Sequence, residues 1–128
     1  MVYASLNVAT CVLEKTVVHF GPKLRAQLPD NFMLIEIEVP DDAGILRIER
    51  EQVPTDAHRQ RRDGRTWYQR TGDRWLEGGE ALALIAPSAI VPQERNAMLN
   101  PTHPRMTDVR ILSATPFRFD PRLAVTSE

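Results

Sequence analysis

The sequence predicts an α+β fold, built on a mixed or mainly antiparallel sheet with few helices. Three observations lead there. Runs with apolar residues at every second position occur in "FMLIEIEV" and "ILRIE", and "VRILSATPF" reads as a further strand. A three-and-four apolar spacing is clear only near the start. Strands and helices do not alternate regularly, as a doubly wound sheet would require.

Val2-Tyr3-Ala4 reads as a short opening strand. Ser5 is placed to cap a helix running to about Phe20, by accepting from an orphan backbone N–H. Leu6, Ala9, Leu13, Val17 and Phe20 would form its core face, and Gly21-Pro22 would end it. Phe32–Val39 is the next strand, with Met33, Ile35, Ile37 and Val39 on one face and Glu36 and Glu38 on the other. Pro40 to Gly44 has turn chemistry, and Ile45–Glu49 follows as a more exposed strand. His58–Arg65 is a basic loop, a solvated connector with a phosphate contact as the sharper alternative. Thr71–Gly79 suggests a short helix with Trp75 and Leu76 turned inward. Ala81–Pro87 and Val109–Phe117 complete the strands, before a proline-containing tail.

A chain of 128 residues is long enough for one domain, 1–128, with its own core. A net charge of −1 gives no general attraction to nucleic acid or membrane. The single cysteine, Cys11, reads as a buried inert thiol and fits a cytoplasmic location. The opening residues lack a signal-peptide pattern, and the uncharged run Val2–Leu13 is too short to span a bilayer. His19, His58 and His103 do not complete a metal-ligand spacing, so no metal is expected. There is no P-loop, GxGxxG, GxSxG or HExxH.

Three side chains stand out as candidates for chemistry. Glu14 completes a polar strip with Asn7 and Thr10 on an otherwise apolar helix, and Lys15 and His19 project away from it. A carboxylate among valines needs partners, either an arginine from a neighbouring strand or a role in a site. Tyr3 ends a strand just before a helix, where it anchors that helix or meets a ligand. Ser88 follows Pro87 within "APSAIVPQERNAMLNPTHP", whose four prolines restrict the backbone. It is either a turn residue or a hydroxyl held at the lip of a cleft. Asn100 reads as a loop-shaping residue.

Taken in order, "VYAS", Glu14, "LIEIEVPDD", "GDRWL", "APSAIVPQERNAMLNPTHP" and "FRFDPRL" resemble the RES domain, the toxin of bacterial Xre–RES toxin–antitoxin pairs. The resemblance spans nearly the whole chain. It implies a fold similar to ADP-ribosyltransferase toxins and NAD+ as substrate rather than cofactor. It implies cleavage of the nicotinamide–ribose bond by hydrolysis or phosphorolysis, a glycohydrolase or phosphorylase type of enzyme. A protein mono-ADP-ribosyltransferase is the alternative. The family's functional tyrosine, glutamate and serine fall on Tyr3, Glu14 and Ser88. Glu14 would stabilise the sugar cation, and Tyr3 and Ser88 would contact the nicotinamide end of NAD+. The expected partners are an Xre-type helix-turn-helix antitoxin and a second copy of the chain. Family members carry arginines before the "VYAS" strand, expected to hold the diphosphate. The resemblance therefore implies a chain short at its N-terminus, and leaves open a form that only binds its antitoxin.

Overall fold

The computed structural model describes residues 1–20 and 30–123, apart from the side chains of residues 18–20. The expected end of the first helix at Gly21-Pro22 lies outside them. Among the described residues there are two sheets. The larger contains β1 (Val2–Ser5), β3 (Ile45–Arg47), β4 (Ala83–Pro87) and β5 (Arg95–Leu99), in the order β1-β5-β4-β3. Only β3 and β4 run parallel; the other neighbours are antiparallel. The smaller sheet is a ribbon of β2 (Phe32–Glu38) and β6 (Arg110–Phe117). The α+β expectation is borne out.

Core burial centres on β4 and its flanks. Leu82, Ala83, Leu84, Ile85 and Leu99 are all buried. Within the expected strand Ala81–Pro87 the observed strand is Ala83–Pro87, paired with β5 on one side and β3 on the other. Helix α2 (Trp67–Gly78) is longer than the predicted Thr71–Gly79, because Thr66 and Gln69 form a reciprocal capping box one turn earlier. Trp75 is buried as predicted, and its indole N–H donates to Ala81 O at 3.0 Å. Gly44 holds a positive φ of 84° at the turn before β3. A Cβ there would lie 3.0 Å from Ala81 Cα, so both its conformation and the close approach require glycine.

The proline-rich block contains an element that the sequence reading missed. β5 lies inside it and is a central strand, bonded to β1 on one side and β4 on the other. The prolines lie outside the strand, where no ladder N–H is lost. Pro87 ends β4 and Pro101 follows Leu99 by two residues. Asn100 shapes the exit as expected, its Oδ1 accepting from Thr102 N and Thr102 Oγ1.

Helix α1 (Val8–Glu14) corrects two expectations. Its N-cap is Asn7, which accepts from Thr10 N at 2.8 Å. Ser5 remains in β1, opposite Asn96. The helix also faces the other way. Thr10 and Thr16 are buried, whereas Leu6, Ala9 and Val17 are exposed. Spacing identified the strips but not which one turns inward. After Glu14 the helix widens into a π-helix over Lys15–Phe20, which breaks the angular projection used for Val17.

The ribbon holds a similar correction. Met33 and Ile35 are exposed, while Phe32, Leu34 and Ile37 are partly covered. A bulge between Glu36 and Ile37 skips Leu112 on β6 and interrupts the strict alternation assumed for Phe32–Val39.

Candidate active site

β5 is the organiser of the site. Its register sets Asn96 opposite Ser5 on β1 and opposite Ala86 on β4. Helix α1 packs on β1 and β5, and brings Glu14 over this point. Asn96 Nδ2 donates to Glu14 Oε1 at 2.7 Å, and Ser5 Oγ donates to Asn96 Oδ1 at 2.7 Å.

Ser88 approaches the same carboxylate from the turn between β4 and β5. Its backbone N–H closes that turn on Glu94 O at 2.9 Å. Its hydroxyl donates to Glu14 Oε1 at 2.6 Å and accepts from Ile90 N and Val91 N, each at 3.1 Å. Pro87 precedes this turn and Pro92 lies within it. Asn7 adds a further tie, its amide donating to Glu94 Oε2. A helix cap and a hairpin turn are thereby joined.

In front of Glu14 lies a cleft of about 510 Å³. Tyr3, Ser5, Cys11, Glu14, Lys15 and Asn96 line one part of it. Phe32, Met33, Leu34, Ile35, Phe117 and Phe119 form an apolar wall. Phe119 sits edge-on to both Phe32 and Phe117, at centroid distances of 5.5 and 5.0 Å. Lys15, projected from spacing toward solvent, stands at the cleft with Nζ 5.5 Å from the Phe32 ring centroid.

The three sequence candidates thus occupy different positions. Tyr3 is at the mouth and 65% exposed, more open than a half-buried anchor. Glu14 is in the lining. Ser88 lies behind Glu14 and is 2% exposed. Among the described residues no arginine pairs with Glu14; its partners are a hydroxyl and an amide. Cys11 is partly exposed in the cleft rather than buried, because the polar strip takes the inward face. Sequence reasoning missed Asn96 and Ser5. The signal was available in the register that a strand at 95–99 implies, had that strand been recognised.

The arginine loop forms a separate concavity, shared by Asp56, Arg59, Arg61, Arg62, Asp63 and Arg70. It has no residue in common with the cleft. Among the described residues, no group of three or more His, Cys, Asp or Glu side chains is arranged to hold a metal. None of the described helices is long and apolar enough to cross a membrane.

Comparison with known families places a match to the RES domain over residues 1–120. The chain belongs to the RES domain family. The resemblance read from the ordered motifs is therefore borne out. A relative from Sphingobium sp., named Prs ADP-ribosylating toxin, is 33% identical over 127 residues, covering 96% of this chain and 74% of its own length. Another RES protein, Toxin Res of Yersinia enterocolitica, is 32% identical over 123 residues, covering 95% and 76%. Toxin Res of Pseudomonas putida is 31% identical over 113 residues, covering 87% and 71%. In this RES domain the family match includes β1, α1 and β5, which carry Tyr3, Glu14 and Asn96, and the β4–β5 turn, which carries Ser88.

Proposed function

We propose that this RES domain consumes NAD+, breaking the bond between nicotinamide and ribose in the cleft in front of Glu14. The observation that carries the reading is the state of that carboxylate. Oε1 accepts from Ser88 and Asn96, and Oε2 makes no hydrogen bond among the described residues. A carboxylate held through one oxygen, on a residue that lines a cleft, suits a reaction in which positive charge develops on a sugar carbon. The cleft volume lies within the usual range for small-molecule sites.

In this reading the C1′–N bond breaks with both electrons going to the pyridinium nitrogen. Nicotinamide leaves neutral and the ribose becomes an oxocarbenium ion. Glu14 offsets that charge and orients the incoming oxygen. Water adds with loss of a proton to give ADP-ribose, or phosphate adds to give its 1-phosphate. Tyr3, at the mouth, packs its ring against the nicotinamide ribose. The expected partners remain an Xre-type antitoxin and a second copy of the chain.

Incubation with NAD+, with and without phosphate, tests the proposal by chromatography of the products. Free nicotinamide with ADP-ribose or its 1-phosphate is expected. Unchanged NAD+ overturns it. A second reading, transfer of ADP-ribose to a protein, is favoured by the name of the Sphingobium relative. Adenine-labelled NAD+ added to a bacterial extract would then leave label on a protein band instead of in small products.

A further inference from the structure

The Ser88 hydroxyl has no hydrogen-bonding capacity left for a ligand. A hydroxyl offers one proton and two lone pairs. Here the proton goes to Glu14 Oε1 and the oxygen accepts from Ile90 N and Val91 N. The residue is also buried, and the cleft lining does not include it.

Asn96 is constrained in a similar way. Its Oδ1 accepts the Ser5 proton, which leaves its NH2 end facing Glu14. A flipped amide would set two oxygens against each other at Glu14, whereas at Ser5 it would only reverse the bond, so Glu14 sets the orientation of the amide and Ser5 holds its far end. Both donors therefore converge on one carboxylate oxygen from different elements, one from β5 and one from the β4–β5 turn.

We propose that Ser88 and Asn96 are positioning residues that clamp Oε1 of Glu14, so that Oε2 alone meets the occupant of the cleft, with Ser5 locking the Asn96 amide. This rests on the reading of Glu14 as the working carboxylate of an NAD+-cleaving cleft, and assigns the work to one oxygen. A carboxylate already held in its reacting orientation needs no reorganisation as charge develops. The chain from Ser5 through Asn96 to Glu14 also ties the strand carrying Tyr3 to the helix carrying the carboxylate.

The test is Asn96→Asp, which keeps the shape and replaces the donor by a second carboxylate beside Oε1. Two carboxylates this close share a proton and hold it to higher pH than either would alone. The other titratable groups at the cleft are Tyr3 on β1 and Cys11 and Lys15 beside Glu14. Glu94 lies at the hairpin turn, bonded to Asn7.

With glutamate labelled by carbon-13 at the carboxyl, Glu14 of Asn96→Asp should titrate at higher pH than in wild type. Its nicotinamide release should recover on acidification, as the shared proton restores a donor. Its kcat should fall while KM stays near the wild-type value. Asn96→Leu should lose about tenfold to a hundredfold in kcat at every pH. Ser5→Ala, which removes only the lock, should lose about twofold to tenfold. Circular dichroism confirms that each variant is folded. An Asn96→Asp protein whose Glu14 signal titrates as in wild type overturns the clamp, as does a loss of rate equal at all pH. Wild type that releases no nicotinamide overturns the NAD+ reading instead, and the carbon-13 titration still decides the clamp.

Discussion

Two polar clusters in this protein differ in almost every respect. The arginine loop is rich in charge and poor in reach. Its ion pairs, Arg61–Asp56, Arg70–Asp63 and Arg65–Asp73, join residues close in sequence, and their side chains are about half exposed, Arg70 less so. The cluster at Glu14 has one charge and three neutral partners. Its bonds join residues 74, 82 and 91 positions apart. The first cluster can form wherever its own stretch of chain is ordered. The second exists only if a helix, two strands and a hairpin turn all arrive. Charge density made the loop conspicuous in the sequence, but convergence marks the site.

That contrast can be broken at its strong end first. Glu14→Gln keeps an acceptor for Ser88 and Asn96 but removes the negative charge. Nicotinamide release should drop about a hundredfold or more, with the far-ultraviolet circular dichroism unchanged. Retained activity would move the chemistry away from the convergent cluster. Ser88→Ala should reduce activity and also stability, because Ile90 N and Val91 N lose their acceptor. Urea unfolding should show a loss of about 1–3 kcal/mol.

The charged cluster should respond far less. Arg61→Ala and Arg59→Ala should each change stability by no more than about 0.5 kcal/mol, and leave nicotinamide release intact. A large effect on turnover would bring the loop into the site after all. The smallest effect belongs to another local pair, Asp120 with Arg122. The Arg122 side chain and backbone hydrogen bonds lower the Asp120 carboxyl from 3.8 to about 2. Its folded value is below the ordinary one, so the pair favours the folded state above pH 3.8 and ceases to as the pH falls toward about 2. Proton NMR titration should show the Asp120 value in Arg122→Ala rising only part of the way to the ordinary one, because the backbone N–H of residue 122 still donates to it, with little change in melting temperature.

The same contrast explains what could be read from the residues. β2 and β3 were legible from apolar alternation and β4 from an apolar run, which are local signals, and β1 and β6 were also placed from their own residues. Trp75 was legible as a core residue for the same reason. The strip of Asn7, Thr10 and Glu14 was legible as a strip, but its inward direction was not. Direction depends on what waits across the interface, and Asn96, Ser88 and Glu94 lie 74 or more positions from their partners. β5 escaped notice because five residues between prolines carry little alternation, although its pairing is what makes it a strand. Ser5 had the right chemistry for a cap, yet a cross-strand amide claimed it.

The central place of β5 has a consequence for biosynthesis. After Glu14 a ribosome must add 82 more residues before Asn96 exists. At about 5–20 residues per second that interval is roughly 4–16 s. Throughout it the nascent polypeptide carries its carboxylate without the amide that orients it. A translation product halted before residue 96 would have Glu14 without its amide partner, and the residues from 96 onward complete a site begun 82 positions earlier.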